Sequence, residues 1–332
     1  MTDKAASHPE LSLIVCLYYE EECVEEFVAQ VRAALKDQAI TYEIVFVDDG
    51  SQDRTVPLVL EMAERDDRIK LIQLSRNHGK EAAITAGITY ARGEHMIMMD
   101  PDLQDPPEAI MDFYRKAQEG YDLVFGVRKT REDSLSTRLF SKLFWTFLNR
   151  LTGLDIPENL SVMRIFNRQF ASEFLKYAER LRFIEGIFML VGMRRTSMAV
   201  AHHKRFAGVS KFNVKKRIAL ALKAITSFSD KPIHLAIGTG IWLLSISLGY
   251  GLWAVIRKVF FNVALTGWTS LFVSILFVGS IQIILLGIIG NYVGRIYSEV
   301  KARPVFTVFR AINIDPDEEF GDEREGCVNR RG

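Results

Sequence analysis

The chain has 332 residues, 48% of them hydrophobic and 25% charged, and its 42 Lys and Arg against 41 Asp and Glu leave a formal net charge of +1. That length holds a full α/β domain and a further region, while the near-neutral charge argues against a nucleic-acid partner. Cys16, Cys23 and Cys327 have no paired spacing, which points to reduced cytosolic thiols rather than a disulfide frame or zinc site, and the polar start MTDKAASHPE lacks the apolar core of a secretory signal.

Leu11 to Leu17 (LSLIVCL) is a short apolar run with β-branched residues and reads as a first strand. Glu20 to Lys36 follows, with Val24, Phe27, Val28, Val31 and Leu35 at helical spacing. Tyr42 to Val47 (YEIVFV) is a second strand running into Asp48, Asp49, Gly50 and Ser51, and Ser51 or Asp53 is placed to cap a helix reaching Arg65. Ile69 to Leu74 is a third strand, and Lys80 to Ala91 a helix with Gly93 expected as its left-handed closing residue. Met96 to Met99 is a fourth strand, short and apolar as a strand buried on both faces should be. Pro106 or Pro107 starts the next helix, which ends at Gln118 with Glu119-Gly120. Tyr121 to Val127 (YDLVFGV) is a fifth strand; beyond Ser134 the pattern turns mostly helical, with a further strand at Thr196–Val200. Strand and helix alternating at this pace specify an α/β, doubly wound, Rossmann-like sheet. Neither G-x-G-x-x-G nor a Walker A loop is present, which disfavours NAD and P-loop chemistry.

From Asn213 to Ser229, Val214, Ile218, Ala221, Leu222, Ile225 and Phe228 share one helical face while Lys215, Lys216, Arg217 and Lys223 lie mostly off it. A basic amphipathic helix suits a membrane interface. Ile233–Ile256 and Leu271–Tyr292 are each long and apolar enough to cross a bilayer, and the linker Arg257–Ser270 is too short for a domain. The pair reads as a hairpin with both ends on one side. Lys215, Lys216, Arg217, Lys223, Lys231, Arg295, Lys301 and Arg303 assign that side to the cytoplasm, outnumbering Arg257 and Lys258 in the linker. The expected organisation is a cytoplasmic α/β domain over 1–210, an interface helix over 211–231, two transmembrane helices over 232–296, and a cytoplasmic tail over 297–332 that is disordered after Asp315. The expected location is a membrane, crossed more than once, with room for self-association through the membrane region.

Asp100-Pro101-Asp102, where the fourth strand emerges, is by itself an ordinary acidic turn or a pair of hard oxygen ligands for Mg²⁺ or Mn²⁺. Its neighbours decide. Ligands of such sheets lie beyond the carboxyl ends of the strands, so Tyr18, Asp48, Asp49, Asp100 and Asp102 should share one edge. Carboxylates at strand ends suit ribose hydroxyls or a base N–H, and Asp102 with Gln104 suits a metal held against a diphosphate. His78, His202 and His203 have no metal-ligand spacing, and Lys80 is placed either beside a donor phosphate or simply at a helix start.

The blocks LSLIVCLYYEEE, FVDDGSQDRT, LSRNHGKEAAITAGITYARGE, MMDPDLQDPPE, YDLVFGVR and RFAGVSKF resemble those of glycosyltransferase family 2. More narrowly they resemble its polyprenyl-phosphate glycosyltransferases, the dolichyl-phosphate mannose synthase type, including bacterial members with two C-terminal membrane spans. The similarity runs from Leu11 to Pro304 and implies a GT-A type catalytic domain that moves a sugar from a nucleotide-sugar to a polyprenyl phosphate at the cytoplasmic face of a bacterial plasma membrane. It implies that Tyr18, Glu20 and Asp49 hold the nucleoside with Asp48 in support, and that Asp100, Asp102 and Gln104 hold the metal and donor phosphate. It places Arg128 and Arg131 near the transferred sugar and acceptor phosphate, and Arg205 and Lys211 in the basic loop leading to the interface helices. Cys16 and Tyr19 stand where the family usually has Pro and Asn, Pro101 replaces a small residue, and Glu158-Asn159-Leu160 replaces a different acidic motif.

Chemistry supports the allocation. A lipid phosphate is largely ionised near neutrality, its second pKa being about 6, and so needs placement rather than a general base. Attack in line inverts the anomeric centre. UDP-sugars are the expected donors, with undecaprenyl phosphate as acceptor. The alternatives are a GDP-mannose-type donor, transfer to a sugar hydroxyl (for which no further carboxylate base is evident) and a non-catalytic, membrane-anchored nucleotide-sugar binder.

Overall fold

The computed structural model describes residues 8–128, 146, 149, 153, 157, 159–177, 179, 180, 182–201, 203, 231–261 and 267–314. Two compact units are present, one formed by 1–149, 154–214 and 304–332, the other by 150–153 and 215–303.

The first unit is built on an eight-stranded sheet. Its strands are β1 (Leu11–Leu17), β2 (Tyr42–Asp48), β3 (Ile69–Leu74), β4 (His95–Met99), β5 (Leu123–Arg128), β6 (Leu160–Asn167), β7 (Arg195–Val200) and β8 (Val308–Ile312). Their order is β7-β5-β6-β4-β1-β2-β3-β8. β1 lies centrally, parallel to β2 and β4, and β3 continues the parallel set beyond β2. β6 runs antiparallel between β4 and β5, and β8 runs antiparallel along β3.

Alternation along the strands gives the sheet two different faces. Leu13, Val15, Leu17, Phe46, Leu71, Ile97, Met99 and Ile165 share one core with α1 (Val24–Leu35), α2 (Thr55–Ala63) and α4 (Ile110–Gln118). Ile14, Val47, Met98, Phe125, Arg164 and Phe166 belong to the other face, which carries α3 (Lys80–Tyr90), α5 (Arg168–Lys176) and α6 (Ile184–Leu190). There Phe166, Phe170, Phe174 and Phe188 stack at centroid distances of 5.1 to 5.5 Å. Each fully buried Phe is worth about 1.5–3 kcal/mol. α3 lies so close to the sheet that a Cβ at Gly87 would clash with Ile14 Cγ2.

Several local readings change. α1 begins at Val24, not Glu20. Ser51 does not cap α2: its hydroxyl accepts from the Tyr19 N–H, while Asp53 accepts from the Thr55 N–H. Gly93 is no helix-closing residue, since α3 ends with Ala91 in an extended conformation. Glycine is needed at 93 because a Cβ would fall 2.6 Å from the Ser12 nitrogen. Residues 160–167, in a stretch read as helical, form β6 in mid-sheet. The chain beyond 297 is likewise more than a tail: the second long helix continues to Val300, and 308–312 rejoins the sheet as β8.

The second unit contains α7 (Lys231–Phe261) and α8 (Trp268–Val300). Within them Ala236–Trp253 and Phe277–Val300 are long and apolar enough to cross a membrane. Neither is the core helix of a soluble domain, because side chains such as Leu248, Leu252, Ile283 and Leu286 are each more than 60% exposed. The interface helix expected over 211–231 lies, apart from Lys231, outside the described residues.

Candidate active site

The parallel register sets Leu17 against Asp48 and Val15 against Met99, so β1, β2 and β4 end side by side. Tyr18, Asp49 and Asp100 follow directly from those ends. The expected acidic edge is therefore assembled, with each member committed differently.

Asp48 is fully buried and its carboxylate accepts from the Gly50 and Ser51 N–H groups at 3.2 and 3.1 Å. Burial raises its pKa against the pull of these bonds. It shapes the turn rather than facing a ligand. Gly50 has φ +84°, and a Cβ there would meet the Arg76 carbonyl carbon at 2.8 Å, so the 48–51 and 75–79 loops touch along bare backbone. Asp49 fastens the same two loops, accepting from the His78 and Gly79 N–H groups at 2.6 and 2.9 Å. Burial raises its pKa as well, against those two bonds. Tyr18 and Tyr19 stand beside this pair, about 40% exposed and edge to face at 4.7 Å. Tyr19 has φ +57° and is held by the Ser51 hydroxyl, and the Glu20 N–H donates to Thr55 Oγ1 at 2.9 Å.

Lys80, first residue of α3, donates to both oxygens of Asp100 at 2.7 and 2.9 Å. Burial works against the ammonium charge, but Asp100 outweighs it and the Lys80 pKa is raised. Both partners remain partly in water, with side chains 49% and 26% exposed. Cys16 lies among Lys80, Asp100 and Asp49, and burial pushes its thiol up to about 12. Where the resemblance leads one to expect Pro, the site thus carries an inert, protonated thiol.

Asp102 is buried in its own loop, Oδ1 accepting from the Gln104 N–H at 3.1 Å, with Leu103 at φ +56°. Asp105, which sequence reasoning passed over, ties this loop to β6 by accepting from the Ser161 hydroxyl and the Met163 N–H. Among the described residues no three His, Cys, Asp or Glu side chains gather as a metal cage. One or two carboxylates with an amide are nonetheless a fitting donor set for Mg²⁺ or Mn²⁺, which complete their shells with phosphate oxygens and water.

Arg128 ends β5, its Nε buried without a hydrogen-bond partner among the described residues. Arg131, Arg205 and Lys211 lie outside the described residues. Two further groups on the α3 face had not been singled out. Arg164 is 3% exposed on β6, opposite Met98 of β4, and Glu185 lies in the first turn of α6 with Oε1 3.7 Å from Arg164 Nη2. The signal for Arg164 was present in the sequence as the one charge within the alternating run LSVMRIFN.

Residues 12–175 match the model of glycosyl transferase family 2. An uncharacterized glycosyltransferase of Synechocystis sp. is 39% identical over 300 residues, covering 90% of this chain and 94% of that protein. A bactoprenol glucosyl transferase of Shigella phage SfV is 37% identical over 299 residues, covering 90% of this chain and 97% of that protein. Among solved structures, glucosyl-3-phosphoglycerate synthase from Mycobacterium tuberculosis superposes with a TM-score of 0.46 at 14% identity, covering 66% of this chain and 79% of that one, too loosely to bear on the site. With relatives this similar along nearly their whole length, the chain belongs to glycosyl transferase family 2 and is a glycosyltransferase.

Proposed function

We propose that the chain transfers a sugar from a nucleotide-sugar, UDP-sugars preferred, to a polyprenyl phosphate such as undecaprenyl phosphate. The observation that carries this reading is the partly exposed Lys80–Asp100 pair beside Asp102, between a nucleoside-type edge at Asp49 and the end of β5. It is supported by the relatives named bactoprenol glucosyl transferase and by the two long apolar helices. In this reading 1–210, completed by β8, is the catalytic domain on the cytoplasmic side, 211–231 lies in the interface, and 232–296 crosses the plasma membrane twice.

Asp49, with Tyr18 and Glu20, receives the nucleoside. Asp100, Asp102 and Gln104 would hold a divalent metal, which would supply charge neutralisation for the departing diphosphate. Lys80, kept protonated by Asp100, turns from that carboxylate to the diphosphate when donor binds. Arg128, with Arg131, Arg205 and Lys211, draws in the acceptor phosphate, which attacks the anomeric carbon without a general base and inverts it.

The test is a panel of radiolabelled UDP- and GDP-sugars with undecaprenyl phosphate and Mg²⁺ or Mn²⁺, scored for label entering the lipid phase. Metal-dependent labelling that Asp102→Ala abolishes is expected; label released only as free sugar would refute the lipid acceptor. NMR of the product's anomeric configuration tests inversion, and retention would rule out single displacement.

A further inference from the structure

Along the carboxyl edge the chemistry follows the strand order. Asp49 ends β2, Cys16 lies on β1, Asp100 follows β4, and Arg164 lies on β6, the next strand over. Three strand spacings separate β2 from β6, about 14 Å in all. A nucleotide-sugar laid along this edge, with its nucleoside at Asp49 and its diphosphate at Asp100 and Lys80, reaches Arg164 and Glu185 with its sugar.

Arg164 is built to hold something. Its Nε donates to the Val162 carbonyl at 3.1 Å and its Nη2 to the Ser161 carbonyl at 3.2 Å. The guanidinium lies over the rings of Phe125 and Phe188, at 5.8 and 5.2 Å from their centroids. Its Nη1 is buried without a hydrogen-bond partner among the described residues. Burial depresses the pKa of this cation, and Glu185, then Asp100, oppose that shift. Glu185 has a side chain one-third exposed, and 3.7 Å is longer than a hydrogen bond, so Arg164 orients its carboxylate by charge without occupying it through a direct bond. A carboxylate here repels a phosphate. It suits a neutral polyol, whose hydroxyls donate to it.

We infer that Glu185, oriented by Arg164, accepts hydrogen bonds from hydroxyls of the donor's sugar ring and contributes to the choice of sugar. This rests on the nucleotide-sugar reading of the site, not on the lipid acceptor. Arg164 is the positioning residue and Glu185 the one that touches substrate.

The experiment uses the full chain in detergent with Mg²⁺ and measures binding of UDP, UDP-glucose, UDP-galactose, UDP-N-acetylglucosamine and GDP-mannose by calorimetry, with transfer to undecaprenyl phosphate in parallel. Glu185→Gln should weaken the preferred sugar donor by at least about tenfold, the low end for a hydrogen bond to a charged group, while the matching free nucleoside diphosphate changes less than twofold. Glu185→Asp should recover part of the loss, and Arg164→Lys should reproduce the sugar-specific loss. Equal losses for sugar donor and free diphosphate, or a lowered melting temperature with sugar affinity intact, would make Glu185 a structural partner of Arg164 and overturn the assignment. If Arg164→Lys does not fold, Glu185→Gln alone decides. A wild type that binds a sugar donor yet labels no lipid refutes the acceptor and leaves Glu185 testable by binding; one that binds none of the donors overturns both.

Discussion

The two ends of the central sheet use charge in opposite ways. At the amino ends of the strands, Glu43 on β2 and Lys70 on β3 form a buried ion pair, with side chains 3% and 11% exposed. The same carboxylate accepts from the Ser12 hydroxyl at 2.5 Å and the Arg92 N–H at 2.7 Å, and the Ser12 oxygen in turn accepts from the Gly93 N–H. At the carboxyl ends, Lys80 and Asp100 form a pair of similar geometry that is still wetted. The first is closed by hydrogen bonds from β1 and from the loop before β4; the second can open without stranding a charge in a dry core. A buried ion pair is costly to break from one side, whereas an exposed one contributes about 0–1 kcal/mol. One end of the fold is thus tied down by its charges, and the other keeps them available for a ligand.

The largest effect should come from removing one partner at the tied end. Glu43→Ala leaves Lys70 buried without its anion and the Ser12 and Arg92 donors without an acceptor, a loss of about 3–5 kcal/mol. Denaturant unfolding checks it, and the specific activity of whatever remains folded should be unchanged. Asp100→Asn inverts the pattern. Turnover should fall about 10²–10³-fold, the range for losing one charge-handling group at a reacting centre. Its melting temperature should stay close to wild type, because Lys80 is free to turn into water. Should Asp100→Asn unfold the protein, or Glu43→Ala abolish turnover of folded protein, the contrast between the ends fails.

The same contrast explains what could be read in advance. Strands β1 to β5 are visible because parallel strands buried on both faces appear as short apolar runs between turn residues. Asp49 and Asp100 are visible because they directly follow such runs. β6 is not, because Arg164 interrupts its apolar alternation and its antiparallel insertion between β4 and β5 is a property of the sheet rather than of the segment. Glu185 becomes part of the site only through β6, so it stays hidden with it. Nor is β8 legible: VFRAI is five residues long, half exposed, and pairs with a strand more than two hundred residues earlier. Asp48 shows the opposite limit. Its place at a strand end was plain, but its commitment to the Gly50 and Ser51 N–H groups depends on turn geometry.

The β8 return adds a smaller test at the tied end. Asn313, at φ +56° just past β8, donates from Nδ2 to the carbonyls of Ala63 and Ile69, both at 2.9 Å, joining the end of α2 to the start of β3. Asn313→Ala strands both acceptors and places alanine in the left-handed region, at a cost of about 1–3 kcal/mol. Asn313→Gly loses the same two hydrogen bonds but carries no left-handed penalty, so the difference between the two variants' unfolding midpoints separates strain from hydrogen bonding.

The smallest effect concerns Asp66, in the turn that Asn313 helps close. Its carboxyl is held down at about 2, first by hydrogen bonds from Arg68, against some burial, and then by Arg32. A carboxyl lowered on folding adds stability above its unfolded value, and that contribution disappears as pH falls from about 4 through about 2. Because both arginines are about half exposed, solvent screening reduces the contribution to about 1 kcal/mol. Asp66→Asn should therefore cost about that much at neutral pH, and the gap to wild type should narrow steadily below about pH 4. A gap that stays constant on acidification would mean that the turn is held by the side chain's hydrogen-bonding shape rather than by its charge, and the tied end would then owe less to electrostatics than the Glu43–Lys70 pair suggests.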